Sequence, residues 1–341
     1  MIIEIEPLDT VIFRDGKPFG MGDDSWTDSL IFPTPTTIYG ALRGTYFSQN
    51  PNDFKKIKSN DVTENLIIKG IYLCRDDELF YQIPKDCIQR LGSEEITTLK
   101  LKKNSLSSNS MDYYLSLDEE IESINNKLLD EITFDDYLNE ADTFYAIDLD
   151  QLVTKESKIG IGRDIDKGVA KKGLLYRMEM LRYEFKIIVE FEGLKLNDSG
   201  LMKFGGESKG ANYRKLESIE LPNTPTIDGS IFKLYLLTPA IFDKGWIPNW
   251  IDEKSFIGQY RGVTLKLLTC ATGKSQSIGG FDMKTNEPKE MFKAVPAGSV
   301  YYFEILEGES DKVIDIFHNQ SISEQRTDEG YGVVILSEVK Q

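Results

Sequence analysis

Pro7-Leu8-Asp9-Thr10-Val11-Ile12-Phe13-Arg14-Asp15-Gly16-Lys17-Pro18-Phe19 and, a little later, Phe32-Pro33-Thr34-Pro35-Thr36-Thr37-Ile38-Tyr39-Gly40-Ala41-Leu42-Arg43 decide the fold class of this chain. The first piece predicts an apolar strand over 8–13. It runs into Arg14-Asp15-Gly16-Lys17-Pro18, where the Asp-Gly step supplies positive φ and the proline fixes the exit. The second predicts a helix over 35–47, entered through prolines that suit its first turn, with Thr34 or Thr36 placed as the cap. Ile38, Leu42 and Tyr46 fall at i, i+4 and i+8 and form one buried face, which turns Arg43 towards a rim. A strand, a turn and a capped helix open many α/β domains, so these elements set the class of fold and not yet the function.

Working outward, residues 2–5 read as strand, 66–73 as a buried strand and 79–83 as its hairpin partner across Arg75-Asp76-Asp77-Glu78. Residues 84 to about 175 differ in character. A Lys/Ser/Asn tract over 100–110 is followed by acidic segments that read as helical, 118–129 and 134–141. The reading is a large insertion, whose acidic part is either a solvated flank or a face that docks a partner. Tyr183, Phe185, Ile187, Val189 and Phe191 then alternate as in a strand. A helical turn over 199–204 and a strand over 212–219 complete a β-α-β-β-α-β unit. Residues 221–229, rich in turn formers, are the linker candidate. Strands over 230–237, 263–270 and 299–306, a helix over 310–318 and a strand over 333–339 repeat that inventory. The expected fold is α+β: two ferredoxin-like (RRM-like) units in tandem, 1–222 and 223–341, the first interrupted at 84–175.

The chain has 341 residues, enough for two domains with real cores, and a net charge of −16. Charges in the first six residues do not suit a signal peptide, and no run of ~18 uncharged apolar residues occurs. Cys74, Cys87 and Cys270 are odd in number and widely spaced, which argues against a disulfide framework or a zinc site and fits a reducing cytoplasm. The acidity argues against nucleic acid until it is located. Residues 112–150 hold 13 Asp/Glu and one Lys, a balance of −12 that leaves the remainder of the chain at −4. Residues 155–177 hold seven cations and three carboxylates. A basic stripe is therefore masked by one acidic segment.

That stripe is a glycine-punctuated hairpin candidate: Arg163, Lys167, Lys171, Lys172 and Arg177 lie among Gly160, Gly162, Gly168 and Gly173. Such a segment suits close approach to a phosphate backbone; solubility alone is the plainer explanation. Phe204-Gly205-Gly206-Glu207-Ser208-Lys209 places freed amides beside a cation, an anion-binding concavity or a salt-bridged turn. Lys274 stands in Gly273-Lys274-Ser275, the end of a P-loop in form, but the first glycine of that motif would fall on Leu268 and the match fails. Gly279-Gly280-Phe281-Asp282 offers an aromatic that stacks a base or packs in the core. Gly330-Tyr331-Gly332 precedes the last strand, where glycines let the backbone pass close to something bulky.

The opening motif and these segments together resemble the RAMP (repeat-associated mysterious protein) superfamily of CRISPR effector subunits, and within it the third subunit of the Cmr (type III-B) complex. The resemblance covers nearly the whole chain outside the acidic insertion. It implies two ferredoxin-like domains and a non-catalytic subunit that grips the 5′ tag of the guide RNA. Such a subunit bridges the backbone RAMP subunits to the large polymerase/cyclase-like subunit and meets target RNA only indirectly. By the same resemblance 155–177 belongs to a thumb-like hairpin against the guide, and Pro288-Lys289 and Pro296-Ala297-Gly298-Ser299 are family wording. Phe281 stands where many relatives carry Trp, and Gly330-Tyr331-Gly332 is a shortened form of a glycine-rich loop that lies against RNA. The equivalent Csm (type III-A) subunit is a neighbouring possibility.

Catalysis has little to stand on. Metal-independent RNA cleavage uses an acid and a base near neutrality, usually His. The one histidine, His318, ends an amphipathic helix. It is the residue on which the alternative, a RAMP guide-processing endoribonuclease, would depend. The acidic run shows no metal-ligand spacing, and neither a metal nor a cofactor is expected.

Overall fold

The computed structural model describes residues 1–14, 26–27, 29–104, 111–124, 126–163, 169–282 and 285–340, with the backbone alone for 26–27, 162–163 and 170–176. Alternating apolar residues build a first sheet. Its elements in chain order are β1 (Ile2–Pro7), α1 (Pro35–Gln49), β2 (Ile67–Arg75), β3 (Glu78–Gln82), β4 (Lys127–Asp130), α2 (Glu131–Leu138), β5 (Ile147–Asp148), β6 (Val153–Arg163), β7 (Ala170–Tyr183), β8 (Lys186–Glu192), β9 (Ser199–Lys203) and β10 (Gly210–Leu216). The eight-stranded order is β5-β4-β3-β2-β8-β1-β10-β9. The long β6–β7 hairpin stands outside it. Asp76 and Asp77 both take positive φ, 54° and 67°, which makes the tight β2–β3 turn expected at that place.

Ile3 and Ile5 of β1 and Ile187 and Val189 of β8 face α1, which brings down Ile38 and Leu42; all six are fully buried. Burial of this kind contributes about 1.5–3 kcal/mol per side chain. Thr34 caps α1, its hydroxyl accepting from the Thr37 amide at 3.4 Å, and Pro35 opens the first turn.

A second sheet follows an irregular connection over 217–230. It uses β11 (Ile231–Leu236), β12 (Ile257–Tyr260), β13 (Val263–Ala271), β16 (Val300–Glu307), α3 (Ser310–Phe317), β17 (Gln320–Ser321) and β18 (Val333–Glu338), in the order β12-β13-β16-β11-β18-β17. Between β13 and β16 lies a small hairpin, β14 (Phe281–Asp282) with β15 (Glu287–Pro288). Each sheet keeps one of the two helices expected for its unit. In the first, the helical turn expected over 199–204 is replaced by strand β9, Ser199–Lys203. Met202 points in while Leu201 and Lys203 point out, so the alternation is that of a strand. In the second, no helix joins β11 to β13; Phe242, Ile247, Ile251 and Phe256 reach the core from an irregular segment. The result is a mixed α and β fold in which strands dominate.

The outer faces carry α1 and α3, and the inner faces pack on each other. Tyr72, Tyr81 and Ile188 of the first sheet meet Tyr235, Val300, Tyr302 and Ile335 of the second. Helix α2, from the acidic insertion, joins this seam with Phe134 and Tyr137, both fully buried. Phe134 stacks on Tyr81 at 3.9 Å between ring centroids and meets Tyr235 edge-on at 5.0 Å. Asp86, also buried, accepts hydroxyl hydrogen bonds from Tyr137 (3.0 Å) and Tyr302 (2.6 Å). The ammonium of buried Lys233 lies 3.9 Å from the Tyr137 ring centroid and 4.0 Å from Glu140. Buried charges persist where they are partnered in this way.

Three expectations are corrected here. Residues 8–13 are not a strand: their side chains alternate as in one, but only Val11 makes a strand bridge, with Leu181, because the Ile12 carbonyl accepts from the Gly206 amide and the Phe13 amide donates to the Ser29 hydroxyl. Residues 118–129 are not helical. Leu128 and Leu129 enter opposite cores, as neighbours in a strand must, and Asn126 has φ of 55°. The helix expected over 134–141 runs over Glu131–Leu138, capped by the Asp130 carboxylate on the Thr133 amide at 2.8 Å. The acidic insertion is therefore part of the inter-sheet core and not only a solvated flank. Among the described residues no helix is long and apolar enough to cross a membrane.

Candidate nucleic-acid interface

Phe13 sits in the first core and Leu30 packs against it. The Ser29 hydroxyl accepts from the Phe13 amide at 2.9 Å, and the Leu30 amide donates to the Phe13 carbonyl at 2.7 Å. Between these points Trp26–Thr27 pairs in parallel with Arg177 and Met178 of β7. Trp26–Thr27 thus runs beside the β6–β7 hairpin, whose register extends from Val153↔Tyr183 to Arg163↔Ala170. Ion pairs fix the foot of the hairpin: Lys155 with Glu179 (3.1 Å), and Arg182 with Glu156 (2.5 Å) and Asp9 (3.3 Å). Towards the far end Ile159, Ile161 and Val169 are exposed.

Four of the expected cations, Arg163, Lys171, Lys172 and Arg177, lie on the hairpin strands. Arg14 is exposed just after Phe13, and Arg177 is exposed with its guanidinium on the Ser157 hydroxyl at 2.8 Å. Arg163, Lys171 and Lys172 lie on the hairpin strands, described by backbone only; Lys17 and Lys167 lie outside the described residues. Two segments distant in sequence, 26–27 and 153–183, are thereby brought side by side.

Other expected residues serve the fold. Arg43 is not at a rim. Its guanidinium bonds Asp61 at 2.6 Å and Thr63 at 2.7 Å and lies near the Tyr39 and Phe47 rings. Gly205 and Gly206 pass under the opening segment, where the Gly206 amide donates to the Ile12 carbonyl at 2.8 Å. A Cβ on Gly205 would stand 2.9 Å from that carbonyl oxygen. Lys209 is paired with Asp9 at 3.1 Å and reaches the Thr10 hydroxyl at 3.2 Å. Asp9 titrates below the usual carboxylate range, chiefly through the backbone hydrogen bond at Thr10 and then through Lys209.

A second convergence lies at the head of α1, where the two halves meet. Thr36 donates to the Glu329 carboxylate and lies 3.0 Å from the Tyr331 hydroxyl. Lys289 pairs with Glu329 at 2.5 Å, and Arg326 donates to the Gly279 carbonyl at 2.8 Å and the Glu290 carbonyl at 2.6 Å. The motifs at 34–37, 279–281, 288–289 and 329–332 thus form one site. Within it Tyr331 is fully buried, its hydroxyl held at Thr36 and its ring out of reach of any ligand. Gly330 abuts Ile68 and Gly332 abuts the Ser323 backbone, so these glycines serve packing between protein segments. Phe281, by contrast, is 55% exposed on the β14–β15 hairpin beside exposed Gly280 and half-buried Gly279, so core packing is not its role.

Between the two places runs a groove of about 370 Å³, lined on one side by Ser29–Thr34 and on the other by Gln82, Lys85, Asn126 and Gln276. Lys85 is solvent-facing yet crowded enough that desolvation lowers its pKa. A Cβ on Gly273, next to exposed Lys274, would stand 3.4 Å from the Lys85 side chain. His318 is elsewhere. Its Nδ1 accepts from the Leu336 amide at 3.4 Å, its Nε2 is buried without a partner, and burial lowers its pKa.

Lys85, Arg326 and the Lys289–Glu329 pair were missed as site residues by sequence reasoning. Lys289 and Glu329 stand inside motifs singled out for their glycines and proline, whereas Lys85 and Arg326 carry no local signal. Only the closure of the two sheets brings these four near α1.

The fold recurs in solved structures. It is shared with a chain of the "Type III-B Cmr-beta bound to cognate target RNA and AMPPnP, state 1", at 19% identity and a TM-score of 0.53, over 89% of this chain and 86% of that one. A chain of the "Type III-B Cmr-beta bound to cognate target RNA" gives 20% identity and a TM-score of 0.52 over the same shares. No curated protein sequence matches. The family model described as CRISPR-associated protein (Cas_Cmr3) matches residues 3–338, so the chain belongs to the Cas_Cmr3 family of CRISPR-associated proteins.

Proposed function

We propose that this protein is a non-catalytic RNA-binding subunit of a type III-B CRISPR effector complex, holding the 5′ tag of the guide RNA along the β6–β7 hairpin and the neighbouring groove. In that role it bridges the backbone RAMP subunits to the large polymerase/cyclase-like subunit, in the cytoplasm. The observation that carries the reading is the separation of charge. The acidic insertion is anchored in the seam, while the basic hairpin projects beside Trp26–Thr27.

The strand orders β2-β8-β1-β10 and β13-β16-β11-β18, antiparallel throughout, support treating the halves as two ferredoxin-like units, each short of one helix. Both inner sheet faces are consumed by the seam. Base stacking on a sheet, as in an RRM, has no open face to use, which favours loops and hairpins as the gripping elements. The half-buried placement of His318, with Nδ1 accepting from the Leu336 amide, favours a structural histidine over a proton-transfer group.

Crosslinking tests the reading. A guide carrying a photoactive base in its 5′ tag is expected to crosslink to peptides from 155–183 and from the groove. A purely structural adaptor gives no crosslink. Incubation with precursor RNA, with and without EDTA, is expected to leave the RNA intact; specific cleavage lost in His318→Ala would establish the endoribonuclease instead.

A further inference from the structure

We propose that Glu329 is a latch that ties the two halves of the molecule together at the head of α1 and so sets the two walls of the groove. Its side chain is almost entirely buried, and its carboxylate is shared between segments far apart in the chain. One oxygen accepts from Thr36 in the first turn of α1; the other pairs with Lys289, just after the β14–β15 hairpin. Helix α1 has no acidic residue in its own first turn, so Glu329 supplies a carboxylate at its positive end.

Arg326 extends the device. It has φ of 54°, in the left-handed region, and its guanidinium is held by the Gly279 and Glu290 carbonyls, the Thr36 hydroxyl (3.3 Å) and the Phe292 ring (5.1 Å). Gly280 leaves no slack, since a Cβ there would stand 3.0 Å from the Thr36 methyl. Three pieces are thereby fastened through one carboxylate: α1, the loop that bears Phe281, and the segment before β18. The stretch leading into α1 lines one side of the groove, and Gln276 and Ala297 line the other. Losing the carboxylate releases both sides and leaves Lys289 and Arg326 as an unfilled anion hole at a helix N-terminus. This inference does not depend on what the groove holds.

Chemical rescue of the full-length protein is the test. In Glu329→Ala, amide exchange at 35–39 and at 279–291 is expected to rise together by about tenfold or more, as loss of charge-assisted hydrogen bonds predicts. Excess acetate is expected to restore protection in that variant and to change nothing in the parent protein. Exchange that rises only at 326–332, or that acetate does not reverse, overturns the proposal. Should Glu329→Ala fail to fold, Lys289→Met serves in its place: coupled loosening of 35–39 and 326–332 supports the latch, and loosening confined to 279–291 refutes it.

Discussion

Residues 112–150, with thirteen carboxylates and one lysine, send Leu128, Leu129, Phe134, Tyr137 and Phe144 into the cores, whereas the basic stretch 155–177, with seven cations and three carboxylates, contributes the two strands of a hairpin outside the eight-stranded sheet. They are neighbours in the chain, and charge alone treats them alike as solvated segments. What separates them is the spacing of their apolar residues. On α2, Phe134 and Tyr137 fall on one side and enter the seam, while Asp135 and Asp136 remain exposed. On β6, Ile159 and Ile161 alternate with glycines and have no layer behind them. An acidic segment can therefore be structural, and a basic one can be left free for a partner.

The largest test of this contrast is Phe134→Ala. It removes a ring stacked between the two sheets and is expected to cost about 3–5 kcal/mol in denaturant unfolding. Ile159→Ala, at a position 66% exposed, is expected to stay within about 0.5 kcal/mol of the parent protein. Equal losses in the two variants would break the comparison.

A smaller effect is expected at Phe281. If this exposed ring stacks a guide base, Phe281→Ala weakens guide binding by about 1–3 kcal/mol, read in a filter-binding titration, with little change in melting temperature. A loss of stability without a loss of binding would return Phe281 to packing.

The smallest expected effect concerns pH. Burial lowers the pKa of His318 below its ordinary value of 6.5, so the folded state keeps it neutral while the unfolded chain takes up a proton. Its contribution to stability is complete above the unfolded pKa and is lost as pH falls below it. Unfolding midpoints taken from about pH 7 down to about pH 5 should fall less for His318→Gln than for the parent protein. Parallel curves would show that His318 does not titrate on unfolding. The chain has no other histidine to confuse the reading.

Much of the scaffold was legible from local patterns. Pro35 and a threonine cap, left open between Thr34 and Thr36, marked the start of α1, the Asp76-Asp77 turn marked the β2–β3 hairpin, and the second run of strands with its α3 helix was readable to within a residue or two at most ends. The failures came where contacts distant in sequence, not the local pattern, decide the backbone. Leu128-Leu129 looks like part of a helix but splits its residues between two cores, while Val11-Ile12-Phe13 alternates like a strand yet gives its backbone bonds to Gly206 and Ser29. The site was legible in part. Glycine wording pointed to 205–206 and 330–332, but glycine answers any close approach, and here the approaching groups are Ile12, Ile68 and Ser323 of the same chain. Long-range pairing, such as Arg43 with Asp61 or Lys209 with Asp9, leaves no local trace.

The most direct test of the account is the salt dependence of guide binding by a hairpin charge reversal, Lys171→Glu with Lys172→Glu, measured from about 50 to 300 mM salt. If these lysines meet phosphates, the slope of log affinity against log salt falls by about 0.7 for each phosphate no longer neutralised, and affinity at low salt drops while the melting temperature holds. An unchanged affinity and an unchanged slope would contradict the claim that the projecting basic hairpin is what grips the RNA.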